Sequence, residues 1–310
     1  MPSTDPYLAK AWLSLVFFAA CEVCLIVWIW LAWRAYAGEP LLKYQPHRPV
    51  PWRPFDLLIV LVLYLALQAT MIFVLRAYLG PEITTPPVMY DVERASAAHM
   101  VARLLRENDL RILISCVVAA VLVAPVVEEF LFRVVLQGYL QAALWRWRKL
   151  LPTLRMLMPG ALGPILLTSL LFARMHFRVE TPMLNVWFLA SLLAGNAVAG
   201  LLTTVCAIAI LRSRTGATAF DFGWVGEKFL ADAVMGFVAF LAIAAPIYLV
   251  QLGLSQLLPK YLAADPFALF LLSIVLGTLY AYTHRIVPAI VVHMSLNAAS
   301  LALAWFMLHG

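Results

Sequence analysis

Leu57-Leu58-Ile59-Val60-Leu61-Val62-Leu63-Tyr64-Leu65-Ala66-Leu67 carries no charge and no turn-forming residue, and it decides the fold class. The strands of an outer-membrane barrel alternate apolar and polar residues, and this run does not. A continuous apolar run of this kind, extended to about 56–79, is a helix that crosses a bilayer. Seven further stretches meet the same rule: about 11–33, 111–135, 161–177, 185–211, 232–258, 266–283 and 287–308. The sequence therefore predicts an all-α protein, a polytopic transmembrane helix bundle of about eight spans, forming a single membrane domain over 1–310. Phe18-Ala19-Ala20-Cys21 faintly resembles a lipoprotein cleavage site, but the apolar run around it continues to Trp33. That is too long for a cleaved signal, so the first stretch counts as a span.

Composition agrees. Of 310 residues, 64% are hydrophobic and 12% are charged, where a soluble domain carries about 25% charged residues. A water-soluble enzyme, a disordered chain and a disulfide-rich secreted scaffold are excluded. The four Cys lie in apolar stretches and form no disulfide framework. Cys21-Glu22-Val23-Cys24 has redox spacing, yet it sits inside an apolar helix and reads as packing. The net charge of +6 is distributed between apolar runs, which argues against a nucleic-acid partner.

Lys and Arg in short loops set the orientation. One side collects Arg34, Lys43, Arg48 and Arg53, then Arg146, Arg148, Lys149 and Arg155, then Arg212, Arg214, Lys228 and Arg285. This side is expected to be cytoplasmic, with both termini outside and Trp145 and Trp147 anchoring the cytoplasmic end of the third helix. The polar segment from Gly80 to Asp109 is expected to hold an interfacial amphipathic helix. Asp221, Glu227 and Asp232 read as a solvated loop.

Charged residues inside apolar helices cost several kcal/mol and mark function. Three places break the apolar pattern. In Glu128-Glu129-Phe130-Leu131-Phe132-Arg133, Glu129 and Arg133 are four apart on one helix face, acid first. That leaves Glu128, about 100° around the helix, without a local counter-charge and suited to act as a general base. The second place is Phe172-Ala173-Arg174-Met175-His176. The third is His293-Met294-Ser295-Leu296-Asn297, whose spacing puts an imidazole and a carboxamide on one face. Both can donate hydrogen bonds to an oxyanion, or to a neighbouring helix.

Taken in order, Glu128-Glu129-x-x-x-Arg133, Phe172-x-x-x-His176 and His293-x-x-x-Asn297 resemble the CPBP family of intramembrane proteases. That family includes the CAAX prenyl endopeptidases and bacterial proteins linked to bacteriocin self-immunity. The run Gly277-Thr278-Leu279-Tyr280-Ala281-Tyr282-Thr283, leading to Pro288 and His293, is similar to the family's approach to its last motif. The resemblance covers 110–180 and 265–305. Two apparent extra spans in 185–258 intervene, and an even number returns the chain to the same side.

The resemblance implies an intramembrane endopeptidase in which Glu128 and His176 activate a water and His293 and Asn297 stabilise the oxyanion. Glu129 and Arg133 would hold the site together. Glu128, His176 and His293 could supply three ligands to a Zn2+ ion with water as the fourth, or work as a metal-free site. No His-Glu-x-x-His motif occurs. The implied partner is a membrane-associated protein or peptide, with lipidation left open. The compact loops point to the plasma (inner) membrane of a bacterium; a eukaryotic member would suit the endoplasmic reticulum. A non-enzymatic membrane immunity or scaffold protein using the same polar cavity is the rival reading. A transporter would show internal repeats and broken helices in both halves, and neither is evident.

Overall fold

The computed structural model describes residues 6–79, 100–107, 109–150, 161–176, 186–257 and 265–309. All regular structure among them is helical. In chain order the helices are α1 (Pro6–Tyr36), α2 (Pro54–Leu79), the short α3 (Met100–Leu105), α4, α5 (Leu162–Met175), α6 (Val186–Thr215), α7 (Phe229–Leu257), α8 (Asp265–Thr283) and α9 (Val287–His309). Helix α4 is continuous through Leu110–Cys116, Val117–Val123, Ala124–Glu129, Phe130–Gln137 and Gly138–Leu150. The second and fourth of these stretches are wound as π-helix. Among the described residues, seven helices are long and apolar enough to cross a membrane. The protein is thus a multi-pass membrane bundle.

Two boundaries differ from the sequence expectation, and both matter for the site. The span expected at 111–135 belongs to a helix that continues to Leu150. Gln137, Gly138 and Gln141 dilute the apolar run there without ending the helix. Glu128 therefore lies near the middle of α4. The span expected at 161–177 is α5, of 14 residues. At 1.5 Å per residue it is about 21 Å long, short of the roughly 30 Å hydrocarbon core. His176 thus stands at the end of a helix too short to cross the core by itself.

Helices α1 and α2 lie at the periphery and turn most of their apolar side chains outward, Leu25, Ile26, Leu61 and Val62 among them, as lipid contact requires. Helix α6 packs along α2, α8 along α5, and α9 along α7. Gly236 shows how close the α7–α9 crossing is: a Cβ there would fall 2.6 Å from the carbonyl oxygen of Pro288.

The basic loops gather at one end of the bundle, as the loop charges predict. Arg48 pairs with Asp221 at 2.5 Å, Arg214 with Asp56 at 2.8 Å, and Arg285 with Asp232. Backbone bonds join Gln45 N to Tyr282 O at 2.8 Å and Ile286 N to Gly223 O at 3.0 Å. Asp221 and Asp232 were expected in a solvated loop but are 1% and 0% exposed; paired with arginines, they clamp the loops together. Glu227 is exposed, as expected. Most of the segment expected to hold the interfacial helix, 80–99, lies outside the described residues.

Two helices contain an internal proline, and both solve the same problem. Pro246 in α7 has no N–H to give the carbonyl four residues back, that of Ala242. Trp28 Nε1 on α1 donates to that oxygen at 2.9 Å, and Cys24 Sγ approaches it at 3.3 Å. The Cys-x-x-Cys cysteine is therefore a packing residue in this fold. In α4, Ala124 N–H reaches back five residues to Ala119 O in the π register. The next donor would be Pro125, which has none, so Ala120 O has no backbone donor in that register. Asn297 Nδ2 on α9 donates to it at 2.8 Å.

Candidate active site

The site is built where α4, α5 and α9 meet. Helix α4 supplies Glu128, Glu129 and Arg133, α5 ends at His176, and α9 brings His293. These residues, up to 165 positions apart in the chain, form one cluster.

Its inner part is held by direct side-chain bonds. Arg133 Nε donates to Glu129 Oε2 at 3.0 Å, and both side chains are 0% exposed. Arg133 Nη2 donates to Ser273 Oγ on α8 at 2.7 Å. Glu129 Oε1 lies 3.0 Å from His293 Nδ1. The Phe172 ring fills the space between these groups: its centroid is 5.6 Å from the Arg133 guanidinium, 4.5 Å from His176 and 5.8 Å from His293. The expected Glu129–Arg133 pair is thus extended by Ser273, a polar residue on α8 that pattern reading passes over.

The outer part is arranged differently. Glu128 Oε2 lies 3.7 Å from His176 Nε2 and 3.8 Å from His293 Nε2. It has no hydrogen-bond partner although the atom is buried. The tautomers follow from the other ring nitrogens. His176 Nδ1 lies 2.8 Å from the Phe172 carbonyl oxygen, which can only accept, so Nδ1 carries the proton. His293 Nδ1 faces the Glu129 carboxylate, which is ionised beside Arg133, and donates in the same way. When neutral, each ring then presents a lone pair on Nε2. In that state three acceptors converge on one spot, and what fits among them is a donor, such as a water molecule.

The side chains of Glu128 and His176 are 27% and 32% exposed, whereas Glu129, Arg133 and His293 are sealed. Asn297 lies one turn beyond His293, with one amide N–H committed to Ala120 O. Of the three residues that could ligate a metal, Glu128, His176 and His293 face one another. Among the described residues, however, no three His, Cys, Asp or Glu side chains are gathered as a metal-ligand set.

Tyr64, inside the apolar run of α2, lies near Gln68 and close enough to Glu128 to feel its charge. The signal in sequence was there: Tyr64 and Gln68 are polar, four apart, in an otherwise apolar stretch.

A family model described as Type II CAAX prenyl endopeptidase Rce1-like matches residues 110–299, a range that holds every side chain of the cluster. The chain matches no curated protein and no solved structure.

Proposed function

This chain belongs to the Rce1-like family of type II CAAX prenyl endopeptidases, and from that premise we propose that Glu128, His176, His293 and Asn297 carry out peptide-bond hydrolysis within the bilayer. The family makes the protein a CAAX-type membrane protease acting on a membrane-associated peptide. The observation that supports the residue assignment is the convergence of Glu128 Oε2 with two imidazole Nε2 atoms at 3.7 and 3.8 Å.

A water held between these acceptors gives one proton to Glu128 as its oxygen attacks the scissile carbonyl carbon. The carbonyl oxygen becomes an oxyanion. His293, backed at Nδ1 by Glu129, can donate to it from Nε2 when the ring takes a second proton, and the free amide N–H of Asn297 can add a second donor. Collapse of the intermediate breaks the C–N bond, and the proton passes from Glu128 to the leaving amine. One water is consumed, giving one carboxylic acid and one amine. Arg133 and Glu129 are positioning residues: they fix the tautomer and orientation of His293.

The step needs no metal ion, and zinc measured well below one equivalent in an active preparation would support that version. One equivalent of zinc that tracks activity would instead favour a metal-assisted site. The substrate is proposed to be a lipidated peptide, and the location a bacterial inner membrane with the basic loops in the cytoplasm.

The test is mass spectrometry of protein termini in host membranes carrying wild type or Glu128→Gln at matched expression. New termini that appear only with the wild type are the expected result. Identical termini would favour a non-enzymatic scaffold using the same cavity.

A further inference from the structure

Eleven buried side-chain oxygen and nitrogen atoms among the described residues have no hydrogen-bond partner. Apart from Glu128 Oε2, six of them fall along one seam: Arg133 Nη1, Ser169 Oγ, Gln137 Oε1, Tyr280 Oη and both amide atoms of Gln141. Arg133, Gln137, Ser169 and Tyr280 are each 0% exposed.

Arg133, Gln137 and Gln141 recur every four residues and so share one face of α4. Helix α8 runs beside that face in the same direction and in step. Arg133 Nη2 donates to Ser273 Oγ at 2.7 Å and Gln137 Nε2 to Gly277 O at 2.8 Å, each pair 140 residues apart. Gln141 and Ala281, the next pair in that register, line one cavity together. Ser273, Gly277 and Ala281 are small, and they leave a groove for the long polar side chains opposite.

Helix α5 closes the third side. Ile165 packs at Gly277, and Ser169 lies one turn nearer the carboxylates. At one end the seam meets the catalytic cluster through Arg133. At the other, about 18 Å along α4 from Glu129, it reaches a cavity of about 360 Å³ at the basic-loop end, lined by Tyr44, His47, Gln141, Trp145 and Ala161 among others.

A hydrolase inside a bilayer consumes one water per turnover, and hydrocarbon supplies none. We infer that this seam is a row of water-binding sites joining the basic-loop cavity to Glu128, and that it delivers the water the reaction consumes. The inference rests on the hydrolytic reading of the site. Amide, guanidinium and hydroxyl groups offer both donors and acceptors, which water can satisfy in succession. A peptide does not fit: even a Cβ on Gly277 would lie 3.0 Å from Gln137 Oε1 and 3.2 Å from Ile165 Cγ2.

The test joins radiolytic hydroxyl-radical labelling, which marks side chains beside bound water, with two shape-conserving variants. In the wild-type protein Tyr280 should label at least tenfold faster than Trp52, which is equally buried. Gln141→Met and Tyr280→Phe should each lower kcat about tenfold with KM unchanged, and should not raise the melting temperature. Absent labelling at Tyr280, together with a higher melting temperature in both variants, would mean dry, unpaired groups and would overturn the seam. Labelled Tyr280 in a protein that cleaves no peptide would sink the hydrolytic reading while the water sites stood.

Discussion

Glu128 and Asp221 are both carboxylates that the fold draws away from water, one in the middle of the bundle and one at its basic-loop end. Asp221 accepts from Arg48 Nε at 2.8 Å and Nη2 at 2.5 Å, and from the backbone and hydroxyl of Thr218, both at 2.8 Å. Both its oxygens are taken, and it ties the segment around Arg48 to the turn at 218–221. Glu128 Oε2, by contrast, lies 3.7 and 3.8 Å from two imidazole Nε2 atoms and has no hydrogen-bond partner. A charge in an apolar chain is thus a poor guide to chemistry by itself. An acceptor left open is a better one, because a structural role would have closed it.

Four substitutions or titrations would break or sharpen that contrast. The largest effect is expected at Glu128. Glu128→Gln should lower kcat by about 10²–10⁴-fold, as loss of a general base does, with the melting temperature unchanged; retained activity would remove Glu128 from the mechanism. Its neighbour should behave in the opposite sense. Glu129→Leu leaves the Arg133 charge buried without a partner and should cost about 3–5 kcal/mol of stability, read as loss of folded protein in detergent. Adding Arg133→Met should restore folding without restoring activity, because His293 still lacks its orienting carboxylate.

At the basic-loop end, Asp221→Asn should cost about 1–3 kcal/mol, the range for buried groups losing charge-assisted hydrogen bonds. Activity per folded molecule should not change. A drop in kcat with full stability would show that the two clusters are coupled.

The last expected effect is a pH dependence. The His47 and His284 rings stack at 3.8 Å with an interplanar angle of 11°. Burial pushes both below the ordinary histidine value, and the neighbouring His47 helps take His284 to about 3. Asp221, nearby, pulls His284 back upward only in part. Both rings are neutral in the folded protein at pH 7, so nothing is lost there. As pH falls below about 6.5, the unfolded chain takes up protons that the folded one refuses, and stability should decline toward pH 3. The slope is at most about 1.4 kcal/mol per pH unit for His284. His284 sits at φ 49°, a conformation asparagine tolerates, so His284→Asn should flatten that slope in a pH series of thermal melts.

The sequence carries the cluster's membership plainly, since Glu128, Glu129, Arg133, His176 and His293 stand out against apolar helices. It also carries the grouping of the basic loops, though not their pairing. It conceals depth. Hydropathy ends the third span at 135 because Gln137, Gly138 and Gln141 resemble a loop, yet Gln137 finds a partner on α8 at Gly277 O and the helix continues to Leu150. Read from composition alone, α5 looks like a full crossing, and only its 14-residue length brings His176 level with Glu128. The bond from Asn297 to Ala120 was equally hidden, because it depends on a π register that no residue pattern announces. Asp221 and Asp232 misled in the other direction: in a polar stretch they resemble surface residues, and burial becomes visible only with Arg48 and Arg285 in place.

The order of synthesis gives the Asn297–Ala120 bond a temporal meaning. Glu129 and His293 are separated by 164 residues, which at about 5–20 residues per second puts roughly 8–33 seconds between their translation. During that interval Glu129 already has Arg133 four residues away, so the carboxylate helix can enter the bilayer with that charge paired. What it lacks is the imidazole, and also the donor that holds the turn ahead of Pro125. Both arrive together on the last helix, four residues apart. Under the proposed mechanism, hydrolytic competence is therefore switched on by completion of the bundle.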